Sequence, residues 1–249
     1  FWSVTRHADV THVSRHPDLF CSGQGTNIPD LPQEINEFMG SMINMDAPRH
    51  TRLRMIVNRS FTPRMVNRID DDVRIKARNI VADAAGLGSC DVVSEISSKL
   101  PLQIICEMMG IPREQWGRVL ELTNVILGDQ ETVPDMAALM AAWVDGAALT
   151  PQEMASFFIL LAAAGNETTR NAISHGVRLL TLHPDQRALW MDDVDTVTPT
   201  AVEEIVRWAT PVIHFRRTAT ADTEIGDERI RKGDKVVMWY ESANRDERH

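Results

Sequence analysis

An acid and two threonines stand in the middle of an otherwise apolar run, and no other residues of this chain are better placed to do chemistry. Between Ser156 and Leu180, the residues Phe157 to Leu161 lead through Ala162, Ala163, Ala164 and Gly165 to Asn166, Glu167, Thr168, Thr169 and Arg170. A carboxylate beside a hydroxyl can move protons, because the hydroxyl both donates and accepts and the acid can reload it. Two readings stay open from this segment alone. Either a buried helix surfaces at its midpoint, or a long central helix crosses the face of a bulky cofactor with Glu167 and Thr168 at the reaction centre.

The element that positions them is a helix. Its first half is apolar at nearly every position, which suits a helix buried on most sides, and the run is too long for a strand. The charges at its centre argue against a membrane span. Thr150 with Glu153 forms a capping box, and Pro151 suits the first helical position. Threonine hydroxyls can bond carbonyls three or four residues back and open the helix, while Gly165 and the alanines before it admit a close neighbour.

A second pair, Glu204 and Arg207, is spaced i, i+3 among Val202, Ile205, Val206 and Trp208. Such a pair is either a surface contact or, in so apolar a setting, a buried bidentate link that pins a distant segment. We expect it to be buried and remote from the chemistry. A third group is scattered: His50 and Arg54 at i, i+4, with Arg216 or Arg217 on a strand. Together these cations could neutralise the two carboxylates of a porphyrin under the central helix, since arginine binds carboxylates through a rigid fork.

Composition narrows the class. With 249 residues the chain can bury a substantial core, and 26 Lys+Arg against 35 Asp+Glu disfavours a general nucleic-acid surface. Cys21, Cys90 and Cys106 have neither zinc nor disulfide spacing, so the expectation is a reducing, cytoplasmic setting with no metal held by these cysteines. The opening residues carry no visible export signal.

Along the chain, Phe1 to Val4 reads as a strand, followed by a helix carrying Val10, Val13 and Leu19, with a loop over residues 23–32. Asp46 and Pro48 start a helix that carries His50 and Arg54 and ends at Phe61 to Pro63. Further helices are expected over Met65 to Ala85, Ser94 to Met109, Glu114 to Leu127 and Thr132 to Ala148. Beyond the central helix, short helices start at Pro184 and Pro199. The tail changes to alternating runs around Ile225, Ile230 and Val236 to Trp239, as in a small antiparallel sheet.

Taken in order, His50-x-x-x-Arg54, AGNETT over 164–169, Glu204-x-x-Arg207 and the FRRTAT strand entry resemble the cytochrome P450 monooxygenases across nearly the whole chain. The wording around FFILLAAAGNETTRNAISHG, PTAVEEIVRWATPV and SANRDE is most similar to the actinobacterial branch that hydroxylates steroids at C26 and methyl-branched lipids. The resemblance implies a mainly α, P450-like helical fold with a small antiparallel β portion. It implies haem b (iron protoporphyrin IX), dioxygen, a ferredoxin-type donor with an NAD(P)H-dependent reductase, and a hydrophobic substrate such as cholest-4-en-3-one or a branched lipid. No nucleic acid or transmembrane segment is implied.

By the same resemblance, Thr168 helps to protonate bound oxygen and Glu167 relays protons from solvent. Gly165 leaves room over the haem, and His50, Arg54 and Arg217 hold its propionates, with Arg216 the lesser candidate. Glu204 and Arg207 form a structural lock. The chain departs from the family in two places. The axial-cysteine loop would fall beyond His249, and the stretch between Met136 and Thr150 is short where the family builds the roof of its substrate pocket. Residues 1–249 are therefore expected to form a single, incomplete domain. Competing readings are a haem- or lipid-binding remnant without oxygenase activity, and a helical interaction protein without cofactor.

Overall fold

The computed structural model describes residues 1–32, 36, 41–60, 63–121 and 151–249. The expected helix over Thr132 to Ala148, the end of the one over Glu114 to Leu127, the cap at Thr150 and the short stretch after Met136 lie outside these residues. The chain divides into two compact units, one of residues 1–54 with 188–249 and one of residues 55–187. The described elements are mainly helical, with a small sheet region, as the sequence pattern implies.

In the first unit the core is built around a four-stranded sheet. Strand β1 (Trp2–Val4) precedes helix α1 (His7–Arg15) and the short strand β2 (Phe20–Cys21). Near the C-terminus come β3 (His214–Ala219), β4 (Thr223–Ile225), β5 (Glu228–Ile230) and β6 (Lys235–Trp239), then the one-turn helix Tyr240–Ala243. The strand order is β1-β6-β3-β2, with β4 and β5 as a separate hairpin. The β2–β3, β3–β6 and β4–β5 pairs are antiparallel, as the alternating tail suggests, whereas β1 runs parallel to β6. Alternation sends Val236 and Met238 into a core with Val4, Val10, Val13, Phe20 and Ile230. Each such side chain contributes about 1.5–3 kcal/mol by leaving water. The helix expected to carry Val10, Val13 and Leu19, with a stop at Pro17, ends at Arg15, so Leu19 lies beyond it and Phe20 and Cys21 enter the sheet.

Helix α2 (Arg49–Ser60) carries His50 and Arg54. The Asp46 carboxylate does not cap it. Its two oxygens accept from the Ser22 and Gly23 amides at 2.7 and 2.8 Å, so it ties down the loop after β2.

The second unit is helical. It holds α3 (Pro63–Gly86), a π turn (Val93–Ser97), α4 (Lys99–Met108), α5 (Pro151–Leu160), a second π turn (Leu161–Gly165) and α6 (Asn166–Leu182). Leu102, Cys106, Ile111 and Val119 form an apolar cluster, with Trp116 and Phe158 packed on it. The nearly buried Lys76 of α3 bridges Asp72 at 2.5 Å and Glu107 of α4 at 2.7 Å.

Helix α7 (Pro184–Asp192) follows, starting at the expected proline, and then α8 (Val194–Ala209). Helix α8 begins five residues before Pro199, because Asp193 caps it by accepting from the Thr196 amide at 3.1 Å. A good cap thus outweighs the cost of a proline near the start. Among the described residues, no helix is long and apolar enough to cross a membrane.

Candidate active site

The central helix is continuous but its ladder changes at the sequence-predicted point. The run Leu161–Gly165 is a π turn, and α6 resumes at Asn166. Small side chains permit this wider turn without crowding, and such turns recur at functional sites. Gly165 is pressed closely: a methyl group there would lie 3.2 Å from Ile105 Cδ1 of α4. The glycine thus leaves room for the Ile105 side chain of α4.

Thr168 and Glu167 stand on adjacent faces just past the turn. The Thr168 hydroxyl donates to the Ala164 carbonyl at 2.8 Å, the backward bond expected of a threonine in this setting. Its proton is engaged, and the oxygen keeps its lone pairs to accept from a water or ligand. The Glu167 carboxylate pairs with Arg170 and accepts from Asn171 Nδ2 at 3.1 Å. The carboxylate is thus held by two partners about one turn along its own helix.

In the other unit, His50 and Arg54 lie one turn apart on α2, half-buried and exposed respectively. Arg216 and Arg217 are neighbours on β3 and must face opposite ways. Arg216 is 1% exposed and is consumed structurally. It donates to the carbonyls of Gln24, Gly25 and Ile28 and to Asp30 Oδ1 at 2.6 Å. Among the described residues, Arg217 makes only a long bond to the Arg216 carbonyl at 3.4 Å. Its charge is felt at Tyr240, where it opposes the burial that raises that phenol's pKa. Among the described residues, His50, Arg54 and Arg217 form no ion pair with a protein carboxylate. A ligand that brought two carboxylates of its own would find these cations available, and Arg216 would not be.

Glu204 and Arg207 are bonded to one another as expected, with Nε–Oε2 and Nη2–Oε1 both at 2.6 Å. The pair is not buried: the side chains are 58% and 40% exposed. Helix α8 keeps its apolar residues partly exposed too, including Trp208 and Val202, so an apolar neighbourhood in sequence did not make a buried one. The arginine lowers the Glu204 pKa by hydrogen bonding. Arg207 Nη1 also donates to the Asn244 carbonyl at 2.5 Å, and Asn244 Nδ2 reaches Thr210 Oγ1 at 3.0 Å. The arginine thereby clips the end of α8 to the chain after β6.

Sequence reasoning missed the role of Arg216 and Asp30, although two adjacent arginines on a strand already require one to face inward. It also passed over Asn166, whose side chain is fully buried.

Residues 118–249 match the family model described as Cytochrome P450. The chain is 46% identical to the methyl-branched lipid omega-hydroxylase of Mycobacterium tuberculosis (strain ATCC 25618 / H37Rv), over 99% of this chain and 66% of that protein. It is 40% identical to the steroid C26-monooxygenase of Rhodococcus jostii (strain RHA1), over 99% of this chain and 59% of that protein. Among solved structures it resembles Mycobacterium marinum cytochrome P450 CYP268A2 in complex with pseudoionone. The TM-score is 0.93 at 40% identity, covering 100% of this chain and 69% of that one. The chain thus spans about two thirds or less of these curated relatives' length. The alignment with the tuberculosis protein runs over 283 positions against the 249 residues here, so at least 34 of them find no residue in this chain.

Proposed function

Because the chain belongs to the cytochrome P450 family, we propose that it is part of a haem-thiolate monooxygenase that hydroxylates a methyl-branched lipid or a steroid such as cholest-4-en-3-one. The observation that carries this reading is the 46% identity to a lipid omega-hydroxylase along 99% of the chain. Residues 1–249 are read as one incomplete P450 domain. The positions without counterpart are placed between Met136 and Thr150, and the axial cysteine beyond His249. The free Cys21, Cys90 and Cys106 are not candidates for that ligand: Cys21 and Cys106 are buried, and burial pushes the Cys106 thiol up to about 11. The remaining partners are dioxygen and a ferredoxin fed by an NAD(P)H-dependent reductase, in the cytoplasm.

When bound, haem b supplies the oxygen activation that side chains lack. In the first unit, His50, Arg54 and Arg217 would hold its carboxylates, a role supported by their forming no ion pair with an acid among the described residues. In the second, the Thr168 hydroxyl, its proton engaged by Ala164, accepts from a water and holds it in place. Glu167 then reloads that water after exchanging Arg170 and Asn171 for solvent. This work needs placement more than an unusual pKa. Glu204 and Arg207 act only in the scaffold.

The test is substrate binding by the full-length protein that carries this chain. Cholest-4-en-3-one or a methyl-branched fatty alcohol should displace the iron-bound water and shift the Soret band. A shift with small terpenes alone would remove the substrate assignment. A second reading, a haem- or lipid-binding remnant, is favoured by the 34 or more unmatched positions; it would show a haem spectrum without product.

A further inference from the structure

Asn166 presents a problem that the reading above does not solve. Its side chain is fully buried, yet among the described residues neither Oδ1 nor Nδ2 has a hydrogen-bond partner. A carboxamide offers two donor hydrogens and an acceptor oxygen, and leaving all of them unmet in a protein interior is strongly disfavoured. Natural structures resolve such cases with a buried water that makes about three hydrogen bonds, and enclosed polar spaces hold water where apolar ones stay dry.

The local backbone supplies the rest of a water site. Asn166 is the first residue after the π turn Leu161–Gly165. A π turn widens the ladder by one residue, so a carbonyl within it is passed over by its usual amide donor. The turn is made of the small residues Ala162, Ala163, Ala164 and Gly165 after Leu161, and Ile105 of α4 packs against it at Gly165. Ile159 and Ala162, seven and four residues earlier, are buried like Asn166. Thr168, two residues on, lies about 200° round the helix on the far side.

We propose that Asn166 anchors an internal water on the buried side of the central helix, bridging its carboxamide to a backbone carbonyl of the π turn. The ligand is one water molecule, or a short chain of them. Its function is to keep the π turn open, as an apolar residue at this position would not. The site stands on the geometry of Asn166 and the turn, whether or not Glu167 and Thr168 act on oxygen.

The full-length protein that carries this chain can be tested by NMR with asparagine labelled in its side-chain nitrogen. The Asn166 amide pair is identified as the signal lost in Asn166→Leu, or in Asn166→Ser should the leucine variant not fold. The expected result is a cross-peak of negative sign between these protons and a long-lived water, absent for bulk exchange. Asn166→Leu should also melt about 2–4 °C lower, the shift that one lost buried link gives in a domain of this size. A truly unpartnered carboxamide predicts the reverse, because leucine would then remove a liability and the variant would melt at or above the parent. No water cross-peak, or no lowering of the melt in a folded leucine variant, overturns the proposal.

Discussion

Thr168 is the residue on which the proposed chemistry turns. Its hydroxyl donates to Ala164, so its oxygen faces any ligand as an acceptor with a fixed direction. Replacing it with alanine removes that acceptor and leaves the helix intact. In the full-length protein, Thr168→Ala should keep binding haem and substrate, while product per NAD(P)H falls roughly tenfold or more and peroxide takes its place. Thr168→Ser should retain most of the coupling. Unchanged coupling in the alanine variant would remove Thr168 from proton delivery. The pair Glu204–Arg207 calls for a smaller effect than its sequence setting implies. Both side chains are substantially exposed, so Glu204→Gln should cost under about 1 kcal/mol. Arg207→Leu also loses the link to the Asn244 carbonyl and should cost about 1–2 kcal/mol. Thermal melts of the two variants compare them directly, and a loss above about 3 kcal/mol for Glu204→Gln would restore the buried lock.

Strand β3 shows how an element divides roles that sequence leaves merged. Arg216 and Arg217 are one residue apart, and the pleat sends one into the interior and leaves the other available. The buried Arg216 gathers the loop at 24–30 through its carbonyls and Asp30, and Lys235 shares the same carboxylate at 2.7 Å. Arg216→Met should therefore cost about 1–3 kcal/mol, since the carbonyls of Gln24, Gly25 and Ile28 lose their donor. Lys235 first, and Arg216 second, lower the Asp30 pKa below the ordinary aspartate value. Its contribution is thus full above about pH 4 and is lost as the pH falls through the folded pKa. Acid melts of Asp30→Asn should lack that component, and an identical acid profile would rule it out. The choice between the arginines was legible only as a pair, because register decides it. The helix periodicity, the π turn's small residues and the alternating tail were readable directly, being local. The start of α8 at Val194 and the parallel β1–β6 pair were not: a cap outweighed the proline signal, and the pairing joins residues far apart in sequence.

At the scale of the whole molecule, the family follows from residues spread along the chain, while the activity rests on what an enzyme of that family does with a complete domain. The chain accounts for the scaffold cations and the central helix in separate units, and its relatives extend beyond it. Its proposed task is the transfer of one oxygen atom from dioxygen to the terminal methyl of a hydrophobic lipid. The most direct measurement supplies ¹⁸O₂ to the full-length protein with ferredoxin, reductase, NAD(P)H and a methyl-branched lipid or cholest-4-en-3-one, and reads the product by mass spectrometry. The account predicts one labelled oxygen atom on a terminal methyl carbon. Unlabelled product, oxygen elsewhere in the chain, or no product from a haem-loaded protein would contradict it.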